Sequence, residues 1–337
     1  PLRAPVSMDR AVTGLSFSTD VTRLLAATRS NTMHVFDVRT RALRDRKIRA
    51  PGGIRHAGFL PEETGVWAQE EGGMLRRWQL PDGGVWGEGL SLADTQGAAF
   101  AVSEHGRLAV FATRSGIVRR VDLVQWRELE PLAFPAGDTL LALSPAGNRL
   151  AVATADGTLL RVFDAASGRL LREIHPGSLV TALAVTSHGD RVITGHDGGR
   201  LVFHSLWTEG REERRGAHED DAVVELRVSP DDTRVVSASL SPLIHVWDAA
   251  SGVELEISRT RAPRHSDKAL ETGHEIRFSR DGSEFFSFGS RDLRVRTFDS
   301  GSALASGPYL QHLNPVTLVA RSPGGELLMT ADTQDQL

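Results

Sequence analysis

The segment Ile244-His245-Val246-Trp247-Asp248, followed by Ala249-Ala250-Ser251-Gly252, decides how this chain is interpreted. Alternation places Ile244, Val246 and Asp248 on one side of an extended segment and His245 and Trp247 on the other, as in a β-strand. The small and polar residues that follow are typical of a turn. A single segment of this kind would carry little information, but the pattern recurs along the chain.

Six further segments place an aromatic or aliphatic anchor in the position of Trp247. In chain order the anchors are Phe36, Trp78, Val121, Phe163, Phe203, Trp247 and Phe298. Successive anchors are separated by 42, 43, 42, 40, 44 and 51 residues. A regular period of this length predicts a repeat architecture, in which each repeat is one supersecondary unit.

A polar turn that follows a short hydrophobic strand recurs with the same period. It occurs at residues 17–20, 59–62, 102–105, 143–147, 185–189, 228–232, 278–282 and 321–325. Ser, Pro, Asp and Gly at these positions favour tight reversals. Each unit is therefore predicted to contain four strands: strand a before this turn, strand b after it, strand c ending at the anchor, and an outer strand d.

A four-stranded meander with two hydrophobic faces is not stable alone, whereas a ring of such units covers both faces. We therefore predict an all-β propeller of four-stranded antiparallel blades, in one domain over residues 1–337. Seven complete blades are expected at about 11–50, 51–93, 94–136, 137–177, 178–220, 221–272 and 273–312. Residues 1–10 are expected to form a lone strand d and residues 313–337 a partial eighth blade, so a ring of seven and a ring of eight blades both stay open.

The period, the eight turns and Trp247-Asp248 together resemble the WD40 repeat family over nearly the whole chain. Segments 278–282 and 307–312 look like bacterial WD-repeat proteins, in which the repeats often follow a Ser/Thr kinase domain or another signalling module. The sequence itself contains no kinase motif. The resemblance and the start at Pro1 imply that the chain is part of a larger bacterial protein, and we expect a cytoplasmic location.

His274, Ser290 and Asp292 could suggest a hydrolytic triad. The resemblance implies a different role, because WD repeats contain a structural tetrad of a loop His, a strand-b Ser or Thr, a turn Asp and a strand-c Trp. With Phe298 as the fourth member, these residues occupy the slots of that tetrad. Such a buried hydrogen-bonded network stabilises a blade, since an unpaired buried polar group is costly.

Recurrence distinguishes the two interpretations, because a catalytic triad occurs once in a chain. Incomplete versions of the slot recur in two other predicted blades. They are His218, Ser239 and Trp247 in the sixth, and Thr154, Asp156 and Phe163 in the fourth. We interpret all ten residues as structural.

Composition excludes several classes of function. The formal net charge of −4 argues against a general nucleic-acid binder, and no run of eighteen apolar residues is present to span a membrane. The absence of cysteine excludes disulfides, thiolate catalysis and cysteine metal sites. We expect no cofactor.

Two connections depart from the repeat, and both are expected to be exposed loops on one rim. Residues 207–221 are rich in Glu, Asp and Arg, and residues 257–275 lengthen one interval to 51. The second loop is basic and is the candidate partner-binding rim. Its cationic residues are Arg259, Arg261, Arg264, His265 and Lys268.

Two functions are compatible with this fold. The first is a non-catalytic scaffold that binds protein partners through its loops. The alternative is a catalytic propeller resembling lactonases, in which carboxylates and histidines in the central channel hold a metal ion. The strand-a segments 142–143, 182–185 and 223–226 are mostly apolar, which favours the scaffold.

Overall fold

Short antiparallel strands joined by turns make up the chain, as the repeat predicts. The computed structural model describes residues 8, 10–40, 42–43, 47–92, 94–95, 99–103, 106–188, 191–207, 211–214, 218, 221–239, 243–259, 274–279, 281–289, 294–302, 310–311, 314, 316–321 and 328–332. These residues contain thirty-one β-strands and one 3-10 turn at Pro61–Glu63, and no α-helix. The all-β prediction is confirmed.

The strands form eight sheets in chain order, which we number 1 to 8. Sheet 1 contains β1 (Val12–Phe17), β2 (Arg23–Thr28), β3 (Thr32–Asp37) and β4 (Ile48–Arg49), and sheet 2 contains β5 (Ile54–Phe59), β6 (Gly65–Glu70), β7 (Met74–Gln79) and β8 (Leu90–Ser91). Sheet 3 contains β9 (Ala99–Val102), β10 (Leu108–Ala112), β11 (Ile117–Asp122), β12 (Arg127–Glu128) and β13 (Leu132–Ala133). Sheet 4 contains β14 (Thr139–Leu143), β15 (Arg149–Thr154), β16 (Leu160–Asp164) and β17 (Leu170–Ile174).

The second half of the chain repeats this order. Sheet 5 contains β18 (Val180–Val185), β19 (Arg191–His196), β20 (Leu201–Ser205) and β21 (Arg211–Arg214), and sheet 6 contains β22 (Val223–Val228), β23 (Arg234–Ser239), β24 (Leu243–Asp248) and β25 (Glu254–Arg259). Sheet 7 contains β26 (His274–Phe278), β27 (Glu284–Gly289), β28 (Arg294–Asp299) and β29 (Leu310–Gln311). Among the described residues, sheet 8 consists of β30 (Val316–Arg321) and β31 (Leu328–Asp332).

Eight hydrophobic clusters lie between these sheets, one for each pair of neighbours in the ring. Successive side chains of one strand point to opposite faces of the sheet, so a single strand contributes to two clusters. In β2, Leu25 and Ala27 pack with sheet 2, whereas Leu24 and Ala26 pack with Ala331 of sheet 8. This last cluster joins sheet 8 to sheet 1, so the ring closes with eight sheets and the open choice between seven and eight is resolved.

The innermost strand carries a β-bulge in five sheets. The register shifts fall between Val12 and Gly14, Ile54 and His56, Val180 and Ala182, Val223 and Glu225, and Val316 and Leu318. A bulge adds one residue to one strand of a pair and increases its local twist. The innermost strands lie nearest to the axis of the ring, so these bulges increase the twist of the strands that surround the axis.

Residues 207–221 were predicted to be an exposed loop, and this prediction is wrong for residues 211–214. These residues form β21, the outer strand of sheet 5, which pairs with residues 201–204. Charged residues are compatible with this position because an outer strand has one edge in solvent. The second predicted loop, 257–275, is also shorter, because residues 257–259 belong to β25 and residues 274–275 to β26.

The Asp that follows the anchor has a local structural role in the turn between strands c and d. In sheet 6 the backbone N–H and the hydroxyl of Ser251 both donate to Asp248 Oδ1, each at 2.7 Å. The same arrangement occurs at Asp164–Ser167 and Asp299–Ser302. The serine hydroxyls, and then the amides, lower the pKa of all three carboxyl groups.

A buried arginine connects sheets 3 and 4. Arg120 is 1% exposed, and its guanidinium donates to the carbonyl oxygens of Ala165 (2.9 Å), Ala166 (3.0 Å) and Glu130 (2.7 Å). Gly168 allows this contact, since a Cβ at its φ of +77° would lie 2.5 Å from the guanidinium. Burial lowers the pKa of Arg120, but an arginine stays charged in proteins. The three carbonyl groups therefore depend on one cation.

Replacing Arg120 by Met is expected to lower the free energy of unfolding by roughly 3 kcal/mol, because three carbonyl oxygens lose their donor. Arg119→Met is the matched control. Arg119 is the adjacent residue and pairs with Glu128 at 2.7 Å near the surface, so we expect a loss of about 1 kcal/mol or less. Urea unfolding followed by tryptophan fluorescence measures both, and equal losses would contradict the role of Arg120.

Stability is expected to fall below about pH 4, where unfolded aspartates begin to take up protons. The hydroxyl of Ser279, with the amide and hydroxyl of Ser283, lowers the pKa of Asp281 to about 2. A lowered pKa in the folded state contributes stability above the unfolded pKa, and this is lost as the pH falls towards 2. Thermal unfolding of Asp281→Asn should show a smaller pH dependence between pH 4 and 2 than the wild type, and superimposable curves would contradict this assignment.

Candidate functional site

A buried hydrogen-bonded network in sheet 6 joins the connection before strand a to strands b and c. The hydroxyl of Ser237 lies 2.9 Å from His218 Nε2 and accepts a hydrogen bond from Trp247 Nε1, also at 2.9 Å. His218 and Ser237 are fully buried and Trp247 is 2% exposed. These side chains hold the blade together and are not accessible to a substrate.

The sequence analysis placed Ser239 in this network, whereas the hydroxyl that contacts both His218 and Trp247 is that of Ser237. In the pairing of β23 with β24, Val235 lies opposite Trp247 and Ser237 lies opposite His245. Ser237 is thus the diagonal neighbour of Trp247 on the same face. Ser239 is also buried, at the end of β23, two residues further along. Positions two apart share one face, so the sequence pattern could not separate the two serines.

His245 extends the network towards the outer strand. Its ring lies edge-on to that of His218, with 4.2 Å between centroids, and its Nδ1 contacts the carboxylate of Glu254 on β25. The side chain of His245 is 3% exposed. One continuous set of contacts therefore crosses the blade from its inner connection to its edge.

Sheet 5 contains a second network, which the sequence analysis did not identify. His196 Nδ1 donates to the carbonyl oxygen of Leu179 at 2.8 Å, so in the neutral ring Nε2 is an acceptor. The hydroxyl of Thr194 lies 2.9 Å from His196 Nε2 and 3.0 Å from His204 Nε2, and it can donate to the first and accept from the second. The sequence signal that could have identified this network is Thr194 in strand b, with His196 two residues later.

In sheet 4 the predicted set Thr154, Asp156 and Phe163 divides into two parts. Thr158 joins Thr154 to Asp156, with hydroxyl contacts of 3.1 Å and 2.8 Å, and its amide also donates to Asp156. Hydrogen bonds from Thr154 and Thr158 lower the pKa of Asp156. This group closes the turn between strands b and c, whereas Phe163 packs in the cluster between sheets 3 and 4.

For the set His274, Ser290, Asp292 and Phe298, the structure describes only part. Phe298 is 1% exposed and stacks on Phe285 with 5.0 Å between ring centroids. His274 begins β26, where its backbone pairs with Gly289. Ser290 and Asp292 lie outside the described residues, so this assignment stays a prediction.

Of the five residues proposed for the basic rim, the structure describes only Arg259. Arg259 ends β25, opposite Leu243. Arg261, Arg264, His265 and Lys268 lie outside the described residues. The rim therefore stays a prediction from sequence.

Two cavities of about 560 and 370 Å³ lie among the innermost strands. The larger is lined by strands a of sheets 3 to 7, and the smaller mainly by those of sheets 1 to 3, 7 and 8. Phe100, Val102 and Arg277 line both cavities. The two cavities are thus neighbouring parts of the central channel.

The described wall of this channel does not carry the acidic groups that the catalytic alternative requires. Arg227 and Arg277 line the larger cavity, and Arg55, His56 and Arg277 line the smaller one. Among the residues that the structure describes, no group of three or more His, Asp or Glu side chains could hold a metal ion. Guanidinium groups repel a metal cation, so the described wall disfavours this alternative.

His56 is the titratable side chain of the smaller cavity. Its ring stacks on Phe100 with 4.0 Å between centroids and 17° between planes. Burial, and then the charge of Arg55, lower the pKa of His56 to about 4. The imidazole is therefore neutral near pH 7 and can both donate and accept a hydrogen bond.

Comparison with known proteins agrees with this architecture. The family model "WD domain, G-beta repeat" matches residues 212–248, which include Ser237 and Trp247. The PAN2 catalytic subunit of the PAN2-PAN3 deadenylation complex, from two strains of Cryptococcus neoformans var. neoformans serotype D, is 24% identical over 141 residues. This match covers 41% of the chain and only 12% of the length of that relative.

Among solved structures, the crystal structure of the computationally designed Ika8 protein is similar in fold. Its TM-score is 0.74 at 19% identity, with 98% of this chain and 95% of that chain covered. The ring of eight sheets defines the chain as a β-propeller. One of its repeats, at residues 212–248, matches the WD40 repeat model, so the propeller is similar to those built from WD40 repeats. No helix among the described residues is long and apolar enough to cross a membrane.

A double-mutant cycle tests the assignment of Ser237. Ser237→Ala should lower the free energy of unfolding by about 2 kcal/mol, because the Trp247 N–H and His218 lose their common partner. Combined with Trp247→Phe, which removes the same N–H, the coupling energy should be about 1 kcal/mol. The cycle of Ser239→Ala with Trp247→Phe is the control and should show no coupling. The reverse result would restore Ser239 to the network.

Proposed function

We propose that the chain is a non-catalytic scaffold that binds protein partners through the loops on one rim of the propeller. The main support for this proposal is the burial of the His, Ser and Thr side chains whose types could otherwise suggest catalysis. His218, Ser237 and Thr194 are fully buried and bond to other groups of their blades, so they are not available to a substrate. The same bonds anchor the connections that lead into sheets 5 and 6.

The basic segment that contains Arg259, Arg261, Arg264, His265 and Lys268 is our candidate partner-binding rim. Guanidinium groups bind carboxylate and phosphate groups with two parallel hydrogen bonds. The complementary partner is therefore a protein with an acidic or phosphorylated segment. Charge on an exposed rim mainly increases the rate of association and its dependence on salt.

The relative named above supports a role in assembly, since its name places it in the PAN2-PAN3 complex. We propose further that this chain is part of a larger cytoplasmic protein of bacterial origin with a signalling role. In such a protein the propeller would bring a partner close to another module without reacting with it. The large, rigid surface of a repeat architecture is suited to this role.

Reversing the charge of the rim should weaken partner capture without unfolding the ring. The test variant combines Arg261→Glu, Arg264→Glu and Lys268→Glu, and the bait is the wild-type or variant chain in native lysate. We expect proteins retained by the wild type to fall about tenfold in quantitative mass spectrometry, because each lost charge-assisted hydrogen bond weakens binding. Thermal unfolding should be unchanged.

The matched control makes the same change of charge elsewhere, with Arg29→Glu, Arg114→Glu and Arg169→Glu at exposed turns outside the basic segment. This control should retain the partners. If the rim variant retains the same proteins as the wild type, or if the control loses them equally, the rim is not the binding site.

A further inference from the structure

The described wall of the central channel has a charge opposite to that of the whole chain. The formal net charge of the chain is −4, yet the charged side chains on the described channel wall are three arginines, Arg55, Arg227 and Arg277. No described carboxylate is among the residues that line either cavity. Such a distribution concentrates positive potential in a confined space, where it attracts anions.

One carboxylate lies close to this group and offsets part of its charge. Glu225 Oε1 is 2.7 Å from Arg227 Nε and 4.0 Å from Arg277 Nη1. The side chain of Glu225 is 19% exposed, whereas those of Arg227 and Arg277 are 46% and 40% exposed. Among the described side chains at the channel, three guanidinium groups thus stand against one carboxylate, and Arg227 and Arg277 are more exposed than Glu225.

Neutral polar and aromatic groups complete the smaller cavity. The imidazole of His56 is held against Phe100 and offers one donor and one acceptor. Thr13 and Ser16 contribute hydroxyl groups, and Trp67 contributes an aromatic surface. Polar and apolar groups both line the two cavities, and volumes of about 370 and 560 Å³ lie in the usual range for small-molecule sites.

We propose that the central channel binds a small organic anion through Arg55 and Arg277, with His56 as a hydrogen-bonding partner. The ligand class is a small molecule that carries phosphate or carboxylate groups, since guanidinium groups bind both in the same geometry. Arg277 is the central residue because it lines both cavities. None of these residues belongs to the basic segment proposed for protein partners, so either assignment can fail without the other.

Isothermal titration calorimetry on the full chain tests this proposal, with inorganic pyrophosphate and citrate as the two small-anion probes and a hexaglutamate peptide as the control for an acidic peptide ligand. We expect saturable binding of at least one probe, weaker at higher salt because the interaction is electrostatic. Binding of pyrophosphate alone would assign a phosphate ligand, and binding of citrate alone a carboxylate ligand. Failure of both to bind at millimolar concentration would overturn the proposal, as would binding only of a hexaglutamate peptide.

Substitutions locate the binding in the channel. Arg277→Gln and Arg55→Gln should each weaken binding about tenfold, which corresponds to the loss of one charge-assisted hydrogen bond. Arg277→Lys keeps the charge and should retain part of the affinity. Arg114→Gln is the control, since Arg114 pairs with Asp138 on the surface and has a side chain 76% exposed. Equal effects of Arg277→Gln and Arg114→Gln would show non-specific binding and overturn the site.

Discussion

The structure depends on the burial of both faces of every sheet. Strand β6 shows the constraint: Val66 and Ala68 pack towards sheet 1, and Trp67 between them packs towards sheet 3. Each such side chain contributes about 1.5–3 kcal/mol only when a neighbouring sheet covers it. A linear stack would leave two faces in water, whereas a closed ring leaves none. The contact of Ala331 with Leu24 and Ala26 is therefore as important as any contact within a sheet.

Within this apolar frame, buried polar groups position the connections between sheets. In sheet 5, His196 bonds the carbonyl of Leu179, which precedes β18, and in sheet 6, His218 precedes β22 and bonds Ser237. The residue types differ, but each network ties the connection before strand a to strand b. Because an unpaired buried donor or acceptor is costly, these networks fix the position at which each connection joins strand a.

This division of roles separates stability from function. The His, Ser and Thr side chains of the buried networks stabilise blades, whereas Arg55, Arg227 and Arg277 line the channel. In our proposals, the channel binds a small anion and the basic segment binds a protein partner. Arg227 and Arg277 on the adjacent strands β22 and β26 give the described wall of the channel a charge opposite in sign to the net charge of the chain.

The sequence alone determined the class of fold, because the period of the anchors and the alternation within each strand are local properties. Trp78, Trp247 and Phe298 were correctly identified as buried anchors, and each is at most 2% exposed. The polar turns were also visible, since Ser, Asp and Gly act within a few residues of each other. These features depend on neighbours along the chain, which a sequence displays directly.

Other features were decided only by the tertiary structure. The choice between Ser237 and Ser239 depends on the register of β23 against β24, and the residues 211–214 became a strand because β20 offers an open edge. Closure with eight sheets depends on contacts between the two ends of the chain, and the charge of the channel depends on which side chains of eight separate strands converge. Each of these features depends on residues brought together from distant parts of the chain. A pattern of neighbouring residues does not indicate which distant residues come into contact.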